Sequence, residues 1–343
     1  MHVHTLIIGA GPGGLACARI LAEHGVKPLV IERKKSIGAK VCAGGITWGG
    51  LISRVPADLA EKSFPVQHIV TRFQKVRIEE PAPIIATVNR VKLGAYMAGQ
   101  AMAAGAEIMT GWQLKAIQGR EVIIEEKEGR RQQKITCDHL VGADGSSSMV
   151  RRHVGLAVTR IGIGINYQIE GDLADMEWHL NGRFFGNGYG WIFPHGNTVS
   201  IGAYASRNTM AAGRLKEGLL NWAQSLGLHL ARERARAEYI NYDYQDWKFG
   251  KTFLVGDAAG LASGLTGEGI YPAILSGEEA ARSIIDPDYK STIMEMLIRK
   301  HRLHSRMVQW TGRNSALNLA AGECVTFGLR CGIIRFSKLE MAV

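Results

Sequence analysis

A glycine-rich turn between two apolar runs constrains the fold of this chain more than any other feature of its sequence. Residues 3–8 form an apolar run rich in β-branched side chains, and residues 9–14 read Gly-Ala-Gly-Pro-Gly-Gly. A helix of small residues is predicted over 15–24, and a second apolar run over 26–31 ends on Glu32. This order predicts a βαβ unit.

The glycines of this unit fit the Gly-x-Gly-x-x-Gly fingerprint of dinucleotide-binding proteins. Gly9 permits the tight turn, Gly11 lets the backbone approach a pyrophosphate, and Gly14 lets the helix pack closely on the strand. The pyrophosphate would lie on the free N–H groups at the start of the helix. Glu32 follows at about the usual spacing of roughly 20 residues for the acid that holds the ribose hydroxyls. The pattern alone leaves NAD, NADP and FAD open as the nucleotide.

Length, composition and cysteine usage indicate an ordinary protein of two domains. The 343 residues are 46% hydrophobic and 21% charged, and no run of 18 consecutive apolar residues predicts a spanning helix. Because the chain opens on a strand and a nucleotide loop in place of a signal peptide, we expect it in the cytoplasm. The scattered cysteines lack a Cys-x-x-Cys pair, which argues against a disulfide framework, an iron–sulfur cluster or a metal site. They are Cys17, Cys42, Cys137, Cys324 and Cys331.

Half of the formal net charge of +10 lies in residues 291–343. Such a bias usually marks a solvated face, but it also fits an anionic membrane surface, a phosphate-bearing substrate or nucleic acid. We discount nucleic acid because no recognition motif or aromatic platform accompanies the charge. The basic residues of this region are Arg299, Lys300, Arg302, Arg306, Arg313, Arg330, Arg335 and Lys338.

The remaining segments of the chain predict two kinds of sheet. Strands suited to a central sheet lie at 106–110, 139–144 and 252–257, and residues 158–245 are typical of antiparallel sheet with one inserted helix. The predicted fold class is α/β, with a Rossmann-type nucleotide-binding domain of discontinuous segments, an antiparallel β-sheet substrate domain and a short helical C-terminal region. The predicted boundaries are 1–65, 90–157 and 248–290 for the first domain, 66–89 and 158–247 for the second, and 291–343 for the C-terminal region.

Three motifs spread over most of the chain resemble those of flavoproteins with the p-hydroxybenzoate hydroxylase-like fold. They are the glycine fingerprint, then Ala-Asp-Gly at 143–145 with Val-Arg at 150–151, then Gly-Asp-Ala-Ala at 256–259. The resemblance implies that the nucleotide is FAD.

The same resemblance implies roles for single residues around the FAD. Asp257 would hydrogen-bond the ribityl chain, Arg90 would lie against the flavin or its ribityl and phosphate groups, and a backbone group of Leu114 would meet the adenine. Residues 266–270 would place a helix N-terminus under the N1/C2 edge of the flavin, where reduction builds negative charge. The expected cofactor residues are Gly9, Gly11, Pro12, Gly13, Gly14, Glu32, Arg33, Cys42, Ala43, Arg90, Leu114, Gly256, Asp257, Gly267, Gly269 and Ile270.

Two further segments resemble the geranylgeranyl reductase family within that fold. Residues 41–46 read Val-Cys-Ala-Gly-Gly-Ile and are similar to the cysteine–glycine loop near the flavin. Residues 189–194 match a Tyr-x-Trp-x-Phe-Pro motif that lines the substrate cavity, and the family pattern continues with Gly-x-Gly, where this chain has Tyr204 in place of the second glycine. The expected substrate residues are Tyr189, Trp191, Phe193 and Pro194.

Several of these residues also have an ordinary structural interpretation. Cys42 is either a small buried residue, the commonest fate of a free cysteine, or a catalytic group. Tyr189 and Trp191 are either core aromatics or cavity lining. Asp144 either ends its strand and caps a turn or contacts FAD.

The resemblance implies an FAD-dependent reductase that saturates carbon–carbon double bonds of prenyl lipids or isoprenoid side chains by hydride transfer from reduced flavin. An isolated trisubstituted alkene has no carbonyl to stabilise a carbanion, so a proton must arrive before or together with the hydride. Cys42 or a bound water would supply it. The expected partners are a polyprenyl substrate, an electron donor such as ferredoxin or NAD(P)H, and an anionic membrane surface on the cytoplasmic side.

Three other functions are compatible with a flavin site in this chain. A monooxygenase or halogenase of the same fold would consume oxygen and act on an apolar or aromatic substrate. An electron-transfer flavoprotein would pass electrons to quinone, although the cysteines do not form the cluster that its iron–sulfur type needs. A flavin-binding protein without chemistry has no specific support in the sequence.

Overall fold

The computed structural model describes residues 1–40, 42–230, 233–336 and 339–342. Val41 of the cysteine–glycine loop and Lys338 of the basic region lie outside the described residues. The part of the chain that is described contains sheets flanked by helices, and the predicted α/β fold class is confirmed.

The strands of the described residues are, in chain order, β1 (His2–Ile8), β2 (Pro28–Glu32), β3 (Gly45–Thr47), β4 (Ala60–Phe64), β5 (Val66–Val70), β6 (Lys75–Glu79), β7 (Ile85–Val88), β8 (Glu107–Thr110), β9 (Trp112–Gln118), β10 (Glu121–Glu126), β11 (Gln132–Gly142), β12 (Ile161–Glu170), β13 (Met176–His179), β14 (Tyr189–Pro194), β15 (Thr198–Ser206), β16 (Arg236–Asn241), β17 (Lys248–Phe249) and β18 (Thr252–Leu254). The α-helices are α1 (Pro12–Glu23), α2 (Trp48–Ile52), α3 (Arg90–Ala104), α4 (Met149–His153), α5 (Gly182–Phe185), α6 (Ala212–Ser225), α7 (Gly256–Ala259), α8 (Ile270–Ile285), α9 (Thr292–Thr311) and α10 (Ser315–Arg330).

The central sheet joins strands from three distant parts of the chain. Its parallel strands follow the order β18-β11-β1-β2-β8, with β17 antiparallel beyond β18 and the β9–β10 hairpin joined to β11. Ile8 of β1 pairs with Ile31 and Gly142, and Gly142 pairs with Leu254, so four strands end at one edge. In open α/β sheets this carboxyl edge is where ligands bind.

A second sheet, in the order β16-β12-β15-β14-β13-β5-β6, presents different faces of β14 to different surroundings. Its described pairs are antiparallel except β13 with β5. Because side chains alternate along a strand, Ile192 packs with α6, whereas Tyr189, Trp191 and Phe193 form a separate aromatic cluster. The boundaries of the predicted domains stay a prediction.

A small sheet of β3, β7 and β4 connects the two larger ones. The Thr87 hydroxyl of β7 donates to the Pro194 carbonyl of β14 over 2.8 Å. Since β3 begins at Gly45, this sheet brings the cysteine–glycine loop beside the aromatic strand β14.

The C-terminal region consists of α9, α10 and a segment that returns to the core. Met341 in this segment is fully buried and packs with the core of the central sheet. None of the helices in the described residues combines the length and the apolar character that crossing a bilayer requires.

Candidate functional site

A cavity of about 570 Å³ begins at the carboxyl edge of the central sheet and continues along β14 to α9 and α10. Its lining includes almost all of the predicted site residues, with Gly14 and Pro194 as the exceptions. Each of these two residues makes a close contact through its backbone. A Cβ on Gly14 would lie 2.0 Å from the Gly9 carbonyl oxygen, and the Pro194 carbonyl accepts the Thr87 hydroxyl.

The nucleotide end of the cavity is formed by the turn after β1 and by Glu32 at the end of β2. Gly9 has φ +109°, and a side chain there would collide with the Ala143 carbonyl at 2.3 Å. The Glu32 carboxylate accepts hydrogen bonds from the backbone N–H of Ala10 at 2.9 Å and of Lys34 at 2.8 Å. These two bonds hold the acid at the cavity wall.

Arg90 offers the clearest test of whether an anionic group fits here. It begins α3 and lines the cavity, yet its buried Nε and Nη1 atoms have no hydrogen-bond partner in the described residues. An unsatisfied buried donor costs roughly 1–3 kcal/mol, so a ligand that accepts from this guanidinium repairs a defect of the free protein. The phosphates or the flavin ring oxygens of FAD fit that need.

Asp257 and Lys40 face each other across the middle of the cavity. Lys40 Nζ lies 2.8 Å from Asp257 Oδ2, and the Ser146 hydroxyl lies 3.0 Å from the same oxygen. Burial alone would lower the pKa of Lys40, but the Asp257 carboxylate raises it above its ordinary value. The lysine is therefore held as a cation beside the carboxylate that is expected to meet the ribityl chain.

The two carboxylate oxygens of Asp144 have different surroundings. Its Oδ2 accepts from the backbone N–H of Met149 at 2.7 Å and caps the start of α4. Its Oδ1 is buried without a hydrogen-bond partner in the part of the chain that the structure describes, and burial raises the pKa of the carboxyl. Arg151 of the same motif is fully buried and donates to backbone carbonyls, which makes it a support of the cavity wall.

The loop before α8 contributes an acid that the sequence analysis did not select. Glu268 lines the cavity and accepts from the Met341 N–H at 2.8 Å through Oε2, and its buried Oε1 has no hydrogen-bond partner among the described residues. Burial raises its pKa to about 7. Its place in Thr-Gly-Glu-Gly, directly before the helix N-terminus expected under the flavin, was a signal in the sequence.

The backbone of the cysteine–glycine loop is held by two side chains from the second sheet. Asn166 Nδ2 lies 3.4 Å from the Cys42 carbonyl, and His195 Nε2 lies 3.0 Å from the Ala43 carbonyl. His195 Nδ1 lies 2.7 Å from Glu61 Oε2. The ring therefore joins the Glu61 carboxylate to the backbone of the cysteine–glycine loop. The half-buried Cys42 itself lines the cavity.

The far end of the cavity is aromatic. Trp178 lies 4.7 Å from Phe193 and 5.2 Å from Tyr189 between ring centroids, and Phe336 of the C-terminal segment lies 6.3 Å from Trp178. Trp191 donates from Nε1 to Ser200 Oγ over 2.9 Å, and Asn166 donates to that same oxygen. Hydrogen bonds therefore connect Trp191 to the loop of Cys42.

Tyr204, which replaces the second glycine of the family pattern, fills space in this end of the cavity. It is buried, its ring lies 5.8 Å from Tyr189, and its hydroxyl donates to the Gly264 carbonyl over 2.9 Å. Compared with a glycine, the Tyr204 side chain therefore narrows the cavity beside the loop that precedes α8.

The sequence matches a described family and several curated relatives. The FAD binding domain family matches residues 2–170, and the prediction of FAD as the cofactor is confirmed. An uncharacterized protein of Methanosarcina barkeri is 30% identical over 316 residues, which cover 89% of this chain and 80% of that protein. The chloroplastic geranylgeranyl diphosphate reductase of Oryza sativa is 26% identical, covering 90% and 72%. Digeranylgeranylglycerophospholipid reductase 2 of Methanosphaera stadtmanae is 28% identical, covering 84% and 80%.

A solved structure shares the fold over nearly the whole chain. The geranylgeranyl bacteriochlorophyll reductase-like protein of Thermoplasma acidophilum superposes with a TM-score of 0.81, covering 96% of this chain and 91% of that one. At 24% identity this likeness shows the fold.

Proposed function

This chain belongs to the geranylgeranyl reductase family of FAD-dependent oxidoreductases, and from that premise we propose that it reduces carbon–carbon double bonds of prenyl lipids or isoprenoid side chains. One observation carries the proposal. One cavity has a glycine turn at one end, with Arg90 donors that have no partner among the described residues, and a cluster of aromatic side chains at the other end. Reduced FAD supplies a hydride when bound, and the chain's own residues must orient the alkene, exclude water and deliver a proton.

The aromatic end supports binding of an apolar chain. Tyr189, Trp191 and Phe193 are buried and point to the cavity side of β14. Their rings offer an apolar surface that excludes water and aligns the alkene, which a reaction at an isolated double bond requires. The relatives named as reductases of geranylgeranyl diphosphate and of digeranylgeranylglycerophospholipid support the same substrate class.

The proton has two protein candidates in the same part of the cavity. Burial is the main cause that raises the pKa of Tyr189, and the neighbouring Cys42 and Glu268 raise it further. Both groups therefore lie close to that ring. We propose Cys42 as the acid, as the family resemblance suggests, with Glu268 as the buried acid that can reprotonate the Cys42 thiolate. Replacing Cys42 by Ala should leave FAD bound and slow reduction at least about tenfold. Reduction at the normal rate would remove Cys42 from the mechanism.

The reaction class is tested by what reoxidises the flavin. The purified yellow protein is reduced in the absence of oxygen and mixed with a dispersed polyprenyl lipid. We expect the oxidised flavin absorbance to return at a rate that depends on lipid concentration. Reoxidation by oxygen alone, with a hydroxylated or halogenated product, would favour the monooxygenase or halogenase class.

We also propose that an external donor such as ferredoxin or NAD(P)H reduces the flavin, and that the basic C-terminal region contacts an anionic membrane surface on its cytoplasmic side. The charge of residues 291–343 supports the second part. Steady-state turnover with each donor in turn would identify the first.

A further inference from the structure

We propose that the outward face of α9 docks on an anionic bilayer and that the prenyl chain enters the cavity from the bilayer between α9 and α10. The inference rests on the proposed function, because it names where that reaction's substrate enters. It begins from an exposed surface that the mechanism does not use.

The outward face of α9 carries an apolar row with a spacing of seven residues. Met296, Leu303 and Trp310 are 53%, 53% and 49% exposed. Two helical turns separate successive members, and the row drifts by only about 20° per seven residues. Large apolar side chains therefore stand in line along the whole helix, in contact with solvent.

A basic row with the same spacing runs beside the apolar one. Arg299, Arg306 and Arg313 are all exposed, the last just beyond the helix end. At about 100° per residue, the basic row lies some 60° around the axis from the apolar row. The acid of the first turn, Glu295, is also exposed at the N-terminal end of this face. The combination of aligned apolar side chains and arginines is that of a helix lying in a membrane interface.

The position of the apolar row relative to the cavity favours a bilayer over other occupants. Met307 and Thr311 of α9 line the substrate end of the cavity. On the same helical wheel they fall between the buried face and the apolar row. Leu319 and Gly322 of α10 line that end too. A lipid bound to the apolar row would therefore meet the cavity directly, whereas an electron-donor protein gains nothing from docking beside the substrate end.

The region after α10 repeats the same chemistry. Phe327 and Ile333 are 55% and 76% exposed, and Arg330 and Arg335 flank the second of them. Hydrogen bonds hold α10 over the cavity. In one of them, Glu323 accepts from the Thr71 hydroxyl at 2.8 Å.

The test compares FAD-loaded variants of the full chain on vesicles. An apolar-row variant carries Met296→Ser, Leu303→Ser and Trp310→Ser, and a basic-row variant carries Arg299→Gln, Arg306→Gln and Arg313→Gln. A matched control carries Met102→Ser, Leu173→Ser and Leu226→Ser at exposed apolar positions elsewhere in the chain. Co-sedimentation uses phosphatidylcholine vesicles with and without one-third phosphatidylglycerol, and flavin absorbance verifies folding.

We expect the wild-type protein and the control to bind the anionic vesicles and to be released by salt, and both row variants to lose at least tenfold in binding. Reduction of vesicle-embedded prenyl lipid should fall tenfold in the row variants, while reduction of the same lipid in detergent micelles stays within twofold. Where a triple variant does not fold, the dependence of wild-type binding on phosphatidylglycerol and salt decides the matter alone.

Four results would overturn the proposal. They are equal vesicle binding by all variants, no binding by the wild type, loss of an acidic donor protein's binding with vesicle binding unchanged, and a monomer–dimer shift confined to the row variants. A wild type that binds vesicles but reduces no lipid in detergent would refute the proposed function and leave the docking result standing.

Discussion

Arg90 shows how a defect of the free protein reveals a ligand. Its buried guanidinium has two nitrogen atoms without partners in the described residues, both at the cavity wall. Replacing Arg90 by Met should therefore leave the apoprotein at least as stable, because the unpaired donors disappear. The same change should weaken FAD binding by roughly ten- to a hundredfold, as expected for lost hydrogen bonds to a charged ligand.

Fluorescence titration with FAD and the melting temperature of the apoprotein measure the two effects separately. Arg77→Met on the exposed strand β6 serves as the control. An unchanged dissociation constant for FAD would show that Arg90 does not meet the cofactor.

Glu268 predicts how stability depends on pH. Burial raises its pKa from 4.5 to about 7. Between these values the unfolded chain releases a proton that the folded protein keeps, so the folded protein loses stability as pH rises through this window. The loss should be on the order of 3 kcal/mol from this residue. Glu340, whose pKa burial also raises to about 7, adds to it.

Replacing Glu268 by Gln should flatten the fall in melting temperature between pH 4.5 and 7, because the amide still accepts from Met341 and does not titrate. The exposed Glu217→Gln provides the control. An identical pH profile in E268Q and wild type would contradict the buried, protonated state.

His195 is expected to act on the reaction through the position of Cys42. Its ring joins the Glu61 carboxylate to the Ala43 carbonyl. His195→Leu removes both of these contacts, and because small displacements of a reacting group are costly, kcat should fall at least about tenfold. The KM for lipid and the affinity for FAD should change little, since His195 is not part of the cavity lining.

Stopped-flow reoxidation and steady-state kinetics separate these parameters, and His229→Leu at an exposed position controls for loss of a histidine. A rise in KM with kcat unchanged would place His195 in substrate binding and remove the positioning role.

At the scale of elements, the contact between α1 and α8 positions the glycine turn. A Cβ on Gly277 of α8 would lie 2.0 Å from the Gly13 carbonyl oxygen. Gly277→Ala should therefore force the helices apart, cost roughly 1–3 kcal/mol of stability and weaken FAD binding. Gly99→Ala in α3 meets nothing within 4 Å and should stabilise by about 0.4–1 kcal/mol.

Urea unfolding of both variants measures the difference. If Gly277→Ala is as stable as wild type, the close crossing of α1 and α8 is not what holds the turn.

Sequence predicted the local elements of this fold better than the contacts between them. The opening βαβ unit has its strand, turn, helix and acid in consecutive residues, so pattern alone describes it. The partners of the cysteine–glycine loop, Asn166 and His195, lie more than a hundred residues away and contact its backbone carbonyls through their side chains. No period or spacing in the sequence encodes those contacts. His195 does follow the Tyr-x-Trp-x-Phe-Pro motif, and that neighbourhood was its signal.

The small sheet of β3, β4 and β7 illustrates the same limit at the scale of elements. Its strands come from residues 45–88 and are short, and their apolar pattern does not say which larger sheet they adjoin. Glu268 shows a similar limit. Its motif is recognisable in the sequence, but its burial depends on the returning C-terminal segment with Met341.

At the scale of the whole molecule, the cavity joins parts of the chain that are far apart in sequence. The turn after β1, the strand β14 and the C-terminal helices each form one section of its wall. The fold of the central sheet fixes the cofactor end, and the second sheet fixes the aromatic end. Function therefore depends on how the sheets are held together.

The central claim is that FAD and a prenyl chain share this cavity. The most direct measurement is the mass of the lipid after one anaerobic turnover of the reduced protein with a polyprenyl substrate. The account predicts a gain of two hydrogens in one lipid for each flavin that returns to its oxidised colour. A lipid of unchanged mass with the flavin still reduced, or a product that contains oxygen or halogen once air is admitted, would contradict it.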